Sequence, residues 1–450
     1  MRRLLFACIC CVSAAGAGEA QTPPIELTLA DAVARGLEAS HRVVELTARA
    51  DAARAVQDQR KAATLPQATL VASYVRTNHV EEFSVPNASG GVRVIYPDIP
   101  DNVRSRVDLQ WPIYTGGRLQ LLTKAAGAEA DAAGQDREAM RADLKLEITR
   151  VYLAVLTARA SQNVVQQALE RTSAHLAEVR NQFSVGLVPP SDVLSIEAQQ
   201  ARQQMLRIEA ENILETASAD FRRLVGLDPD ARFELADAMA DLKVGTTIGR
   251  AGLELQDPPN NKAVVDLARA NRPERKALTF RIGAAAERAF AASAGSLPLL
   301  TAVGGYDFAR PNPRIFPIQN AWKPSWDLGV QVRWPIFDGG RTRAEAAEAS
   351  ALHRVAEARL RDFDSNIEVE IRQRSADLRS AQASVEAAQA GVRAAAEARR
   401  VLAERFGAGV ATNTDVLTAQ VALLQAELDL TRARANTLLA SARLDRAMGR

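Results

Sequence analysis

The stretch VRSRVDLQWPIYTGGR, Val103–Arg118, decides the fold. As far as Ile113 it alternates. Val103, Ser105, Val107, Leu109, Trp111 and Ile113 take one side of an extended chain, and Arg104, Arg106, Asp108 and Gln110 take the other. Alternation over about eleven residues predicts a strand with one apolar and one polar face, long enough to cross a membrane when tilted. Gly116 and Gly117 then read as the bend from strand to helix, because they sit in neither a G-x-G-x-x-G nor a P-loop pattern.

The stretch occurs twice. Trp111-Pro112-Ile113-Tyr114-Thr115-Gly116-Gly117-Arg118 returns as Trp334-Pro335-Ile336-Phe337-Asp338-Gly339-Gly340-Arg341. At the same offset, Phe183, Gly186, Asp192, Val193 and Leu194 return as Phe406, Gly409, Asp415, Val416 and Leu417. Two copies follow, 21–226 and 263–450, with a less regular linker at 227–262. Each copy reads helix, strand, loop, strand, long helix, turn, helix. The strands are expected at about 67–77 and 103–113, then 299–309 and 325–337. In the second copy Trp326, Leu328, Val330, Val332, Trp334 and Ile336 oppose Asp327, Gln331 and Arg333.

Outward from the strands the chain is helical. Residues 28–64 lack proline, and Pro66 ends the run. From 118 to 185 there is again no proline, and those 68 residues would measure about 100 Å as one helix. Helices are also expected from 191 to 225 and through the end of copy two. There Leu417, Val421, Leu424, Leu428, Thr431, Ala435, Leu438 and Ala442 alternate spacings of four and three, a helix-packing seam. In copy one the seam is Leu194, Ala198, Ala201, Met205 and Ile208.

Composition bounds the function. Net charge is +2 with acids and bases interspersed, which gives no electrostatic reason to expect nucleic acid. Residues 1–20 read as a signal peptide: Arg2 and Arg3, an apolar run from Leu4 to Val12, then small residues to Ala20. All three cysteines (Cys8, Cys10, Cys11) lie inside it, so cleavage leaves no thiol for disulfides, metal sites or nucleophilic catalysis. No later segment has eighteen consecutive apolar residues, so only strands could span a membrane. His41, His79, His175 and His353 lack ligand spacing. No nucleophile elbow, zincin motif or P-loop is present. The chain is therefore expected to be no enzyme and to need no cofactor and no metal.

Four strands cannot close a barrel. Two chains would supply eight and three would supply twelve; three leave an open lumen and no exposed edge. All four tryptophans (Trp111, Trp322, Trp326, Trp334) lie in or beside the strands, as an aromatic girdle at bilayer interfaces requires. A soluble sheet with its apolar face on a core is the alternative, but no obvious layer remains to cover that face. A periplasmic helical adaptor or scaffold is the rival at the level of the whole protein. The two Trp-containing strands and the duplication argue against it.

The two-copy plan, the W-P-I-[YF]-x-G-G-R elements, and the turns FSVGLVPPSDVL (Phe183–Leu194) and FGAGVATNTDVL (Phe406–Leu417) together resemble the TolC family of outer-membrane efflux proteins. The resemblance implies a mainly α fold with β: a homotrimer whose twelve-stranded barrel in outer-membrane lipid continues as a long periplasmic α-helical barrel. It implies a passive duct for efflux or type I secretion. Its partners are a periplasmic adaptor (membrane fusion protein) and an inner-membrane pump of the resistance-nodulation-division or ABC type. It places Asp192 and Asp415 at the channel entrance, where the residues' own reading is helix capping with Ser191 or Thr414 as N-cap. It makes Gly186, Leu187, Val188, Gly407 and Gly409 an adaptor-contact tip. Phe406, Ala411 and Thr418 depart from the tyrosine, arginine and acid that close the gate in some relatives.

Overall fold

The computed structural model describes residues 24–88, 90–239 and 261–450. The signal-peptide reading of residues 1–20 and most of the linker, 240–260, lie outside that range. The chain divides into two compact units.

One unit holds the sheet and takes the described residues of 41–146, 261–380 and 440–450. Its strands are β2 (Gln67–Arg76), β5 (Asp101–Tyr114), β7 (Leu299–Arg310) and β8 (Lys323–Arg333), in antiparallel order β2-β5-β7-β8. The register keeps the alternation of the sequence. Arg106 sits opposite Val71 and Asp307, while Val107 sits opposite Leu70 and Tyr306. Arg104, Arg106, Asp108, Asp307 and Asp327 therefore share one face, with Val71, and Leu70, Tyr74, Val107, Tyr306 and Trp326 share the other.

Two expectations change here. The second-copy strand ends at Arg333, not at 337, because β7 begins at Leu299, the partner of Arg333. Trp334 and Ile336 lie beyond the last pair, and the Trp334 indole N–H donates instead to the Ser296 carbonyl at 3.2 Å. The loop 78–102 also contains its own hairpin, β3 (Phe83–Pro86) with β4 (Val92–Tyr96).

Helices in this unit are α2 (His41–Ala62), the start of α3 (Arg118–Ser184), α5 (Asn261–Asn271), α6 (Pro273–Ser293), the start of α7 (Arg341–Gly407) and the end of α8 (Asn413–Ala447). Arg281 and Arg288 of α6 pair with Asp136 and Glu129 of α3, and Arg275 grips Asp364 of α7 at 2.7 Å. Alanines fill the contacts between these pairs: Ala277, Ala284 and Ala291 are buried at a seven-residue spacing on α6, which lets the helices approach closely.

The second unit takes the described residues of 24–40, 147–239 and 381–439. It contains α1 (Leu29–Ala39), α4 (Pro190–Val225) and parts of α3, α7 and α8. The expected helix 28–64 is thus two helices, α1 and α2. Ser40 is extended (ψ 113°) and ends the first. Strands β1 (Ile25–Leu27) and β6 (Phe233–Leu235) pair in parallel, so the described start of the linker is ordered. Tyr152, fully buried, packs its edge on Phe221 and donates its hydroxyl to Asp237 at 2.8 Å.

The apolar seam expected on copy one is not this unit's core. Leu194, Met205 and Ile208 are exposed, whereas Ile196, Gln203 and Ala210 are buried at heptad spacing. The helix carries two stripes, and the chain itself uses only one. On α8, likewise, Leu424 is buried but Val421 is exposed.

Candidate functional site

The first candidate surface is the sheet. On its apolar face Leu70, Tyr74, Val107, Leu109, Trp111, Tyr306, Phe308, Trp326, Leu328, Val330 and Val332 are all exposed. From Val103 to Trp111 on β5 the face runs about 26 Å along the strand, or about 20 Å of height at the tilt of a barrel strand, near that of an outer-membrane apolar band. Trp322 and Trp326 lie at one end of β8, with Trp322 stacked on Phe308 (centroids 5.0 Å apart). Trp111 and Trp334 lie at the other end, toward the helices.

The polar face is tied together by charge. Arg104 Nε donates to Asp307 at 2.6 Å. Arg106 bonds Asp108 on its own strand at 2.6 Å, Asp307 on β7, and Asp327 on β8 at 3.1 Å. One guanidinium thus spans three strands. The space it uses exists because β7 carries Gly305 there: a Cβ on Gly305 would overlap the Arg106 guanidinium. The arginines and Asp108 were legible in the alternation, but Asp307 and Asp327 lie more than two hundred residues away in sequence, and no local signal pairs them with the arginines.

The second candidate site is the helical tip. Both turns end their long helix in the same way. Gly186 has φ 79° and Gly409 φ 75°. Gly186 N–H donates to Phe183 O and Leu187 N–H to Gln182 O, both at 2.9 Å; Gly409 and Val410 repeat this with Phe406 and Arg405. This is the Schellman arrangement, whose left-handed residue favours glycine. Gly407 is the last residue of α7. Leu187 and Val410, which follow the two left-handed glycines, are largely exposed. Val188 instead packs on the cluster Leu176, Val179, Ile196, Phe406 and Val416.

The capping expectation needs correction. Pro189, not Ser191, is the N-cap of α4, with no side-chain cap bond; Asp192 remains in the first turn. At α8 the capping residue is Thr412, not Thr414. Its hydroxyl accepts from Asp415 N–H at 3.2 Å, and the Asp415 carboxylate accepts from Thr412 N–H at 2.9 Å, a reciprocal capping box. The hydroxyl and then the amide of Thr412 hold the Asp415 carboxyl below its usual range. A lowered folded value adds stability above the unfolded pKa near 3.9, and that stability is lost as pH falls through the folded value. Amide protection at the start of α8, corrected for intrinsic exchange, should be flat from neutral pH to about 4.5 and fall below about 4. In Asp415→Asn that fall should be absent; a fall of equal size in the variant would rule the carboxylate out as its cause.

Sequence reading missed the residue that joins the two turns. Asn413, buried, donates to Asp192 O at 3.2 Å and to Ser195 Oγ at 3.0 Å. Its amide oxygen lies 2.9 Å from His175 Nε2. The His175 ring in turn meets Phe406 edge-on at 5.4 Å. Asp192 and Asp415 thus stand on helix starts that Asn413 holds together. Below them Thr172 meets Gln420 at 3.2 Å and Arg171 meets Glu427 at 2.7 Å.

A four-stranded sheet with an uncovered apolar face, joined to helical hairpins of this length, defines the class of outer-membrane proteins that continue into the periplasm as helices. The chain belongs to the outer membrane efflux protein family, whose model matches it over residues 33–227 and again over 264–450. It is 22% identical to the outer membrane protein TolC of Vibrio cholerae, over 94% of this chain and 90% of that one. It is 25% identical to the alkaline protease secretion protein AprF of Pseudomonas aeruginosa, over 76% and 69%. Its fold matches the crystal structure of the outer membrane protein VceC of Vibrio cholerae with TM-score 0.78, at 20% identity over 94% and 96% of the two chains. The protein is an outer-membrane channel protein with its helical part in the periplasm.

Proposed function

We propose that three copies of this chain close their sheets into a twelve-stranded barrel and continue as a periplasmic helical tunnel. The assembly is a passive exit duct. It takes cargo from an inner-membrane pump of the resistance-nodulation-division or ABC type, through a periplasmic adaptor, to the exterior. The observation that carries this reading is the sheet, with four strands, two open edges and one uncovered apolar face. Strands β2 and β8 run in opposite directions, so joining β8 of one copy to β2 of the next continues the antiparallel order and removes both edges. Closure with the apolar face outward meets lipid and turns the Arg104–Arg106 face into the lumen.

The exposed stripe of Leu194, Met205 and Ile208 supports packing of α4 against another copy. The two-copy plan is supported by two long helices of 67 residues each and by the doubled family match. On this reading the linker 227–262 belongs to an equatorial collar, and Trp111, Trp322, Trp326 and Trp334 form the girdle. Gly186, Leu187, Val188, Gly407 and Gly409 meet the adaptor. Asp192 and Asp415, six carboxylates in a trimer, line the entrance and favour cations there.

Separation of inner and outer membranes, followed by native mass measurement of the detergent-extracted protein, tests the assembly. The expected product is an outer-membrane species of three chains. A soluble periplasmic monomer, or a stable species of two chains, would overturn it.

A further inference from the structure

A cavity of about 770 Å³ opens where the sheet meets the helices. Three arginines line it: Arg118 and Arg341, the last residues of the two W-P-I-[YF]-x-G-G-R elements, and Arg333 at the end of β8. Among the described residues no acid and no lysine lines it. Among the described residues Arg118 and Arg333 form no side-chain ion pair or hydrogen bond; Arg341 pairs with Glu345, one turn along its own helix, at 3.2 Å, and its charge also acts on Asp338. The Asp338 carboxylate accepts from Thr342 N–H at 2.9 Å and Gly340 N–H at 3.0 Å. Helix α3 also begins at Arg118, so its positive end adds to the arginine charge; the start of α7 is already capped by Asp338.

The walls are of two kinds. Leu119, Leu122 and Leu297 supply apolar surface, and Gln67 and Gln110 supply amides. Register says which side of the sheet this is. Gln67 pairs with Gln110, which follows Asp108 and Arg106 on the polar face, and Arg333 follows Asp327 and Gln331 there. The cavity therefore lies on the face that carries the charge network, opposite the one bearing Trp111 and Trp326.

We propose that this cavity is a binding site for amphipathic organic anions, a carboxylate or sulfonate joined to an apolar body, at the junction of barrel and tunnel. Guanidinium forks match the planar or tetrahedral oxyanion, and the leucines take the apolar part. The placement in the lumen rests on the trimeric duct reading. There, three copies bring nine arginines to one level, and cargo of this class pauses at it.

The test uses purified full-length protein in planar bilayers, with naphthalene-2-sulfonate added on the barrel side and neutral naphthalene-2-sulfonamide as its control. The sulfonate should block current and the sulfonamide should not. In R118Q/R333Q the concentration for half block should rise about tenfold or more, as the loss of charge-assisted bonds requires. R118K/R333K, which keeps the charge, should stay within a few-fold of wild type and shows that the junction still folds. Equal block by both compounds, or block unchanged in R118Q/R333Q, overturns the anion site while leaving the duct intact. Absence of any channel in the wild type overturns the duct, and this site with it.

Discussion

Gly305→Val is expected to remove most of the chain from the assembled outer-membrane fraction. Gly305 has no other task as large as leaving room. Opposite it on β8 is Asp327, on β5 Asp108, and over it lies the Arg106 guanidinium. A valine must push that guanidinium away, so three ion pairs are disturbed by one substitution. Asp307, buried, then keeps only Arg104. A buried carboxylate that loses a partner costs several kcal/mol, and crowding in a close-packed place adds about 1–3 kcal/mol. The four strands also join residues up to about two hundred positions apart in sequence, so the network acts where the two hairpins must find each other. The measurement is the share of extracted protein that migrates as the proposed three-chain assembly in native gels. Gly304→Val is the control, since its Cβ would meet Leu328 Cδ1 at an ordinary 3.5 Å on the apolar face. If Gly305→Val assembles as well as Gly304→Val does, the network is not what aligns the sheet.

What was legible in the sequence follows from the range of each interaction. Alternation is local, so β5 could be read residue by residue from Val103 to Ile113. The long helices were bounded by prolines and glycines: 118–185 was expected, and Arg118–Ser184 is observed. The hairpin within 78–102 was missed although Val92, Val94 and Tyr96 alternate, because the segment is short and lies beside a longer strand. The end of β8 was misjudged because Trp334-Pro335-Ile336 copies Trp111-Pro112-Ile113 in sequence. A strand needs a partner, however, and β7 supplies none beyond Leu299. The seam on α4 was read as a helix-packing stripe, and within one chain it stays uncovered. Periodicity reports that a stripe is to be covered, not whether the same chain covers it. The Arg118, Arg333 and Arg341 cluster was half visible: two of its members close the repeated element, but only the fold brings them to one cavity.

Asn413→Ala is expected to open the tunnel. Asn413 ties the start of α8 to the start of α4 through Asp192 O and Ser195, and to α3 through His175. Truncation removes all three contacts and leaves Nε2 of His175, 8% exposed, without its partner, while Glu178 stays 4.0 Å from Nδ1. Each neutral bond is worth about 1 kcal/mol net, and an orphaned buried polar group costs a further 1–3 kcal/mol. If the tie exists in the closed arrangement alone, a loss of about 4 kcal/mol or more raises the open fraction by about a thousandfold, up to saturation. If it persists when the tip opens, both arrangements lose equally and conductance stays the same. In the first case Asn413 is a closing contact of the tip. Single-channel recording separates the two. Thr172 with Gln420 and Arg171 with Glu427 remain to hold the hairpins below the tip, so the variant should still assemble. A His175→Phe variant and the double variant complete a cycle. Coupling between the two positions of more than about 0.5 kcal/mol, read as open fraction, identifies the contact itself as the lock. Additive effects would assign the opening to loosened packing around Phe406 instead.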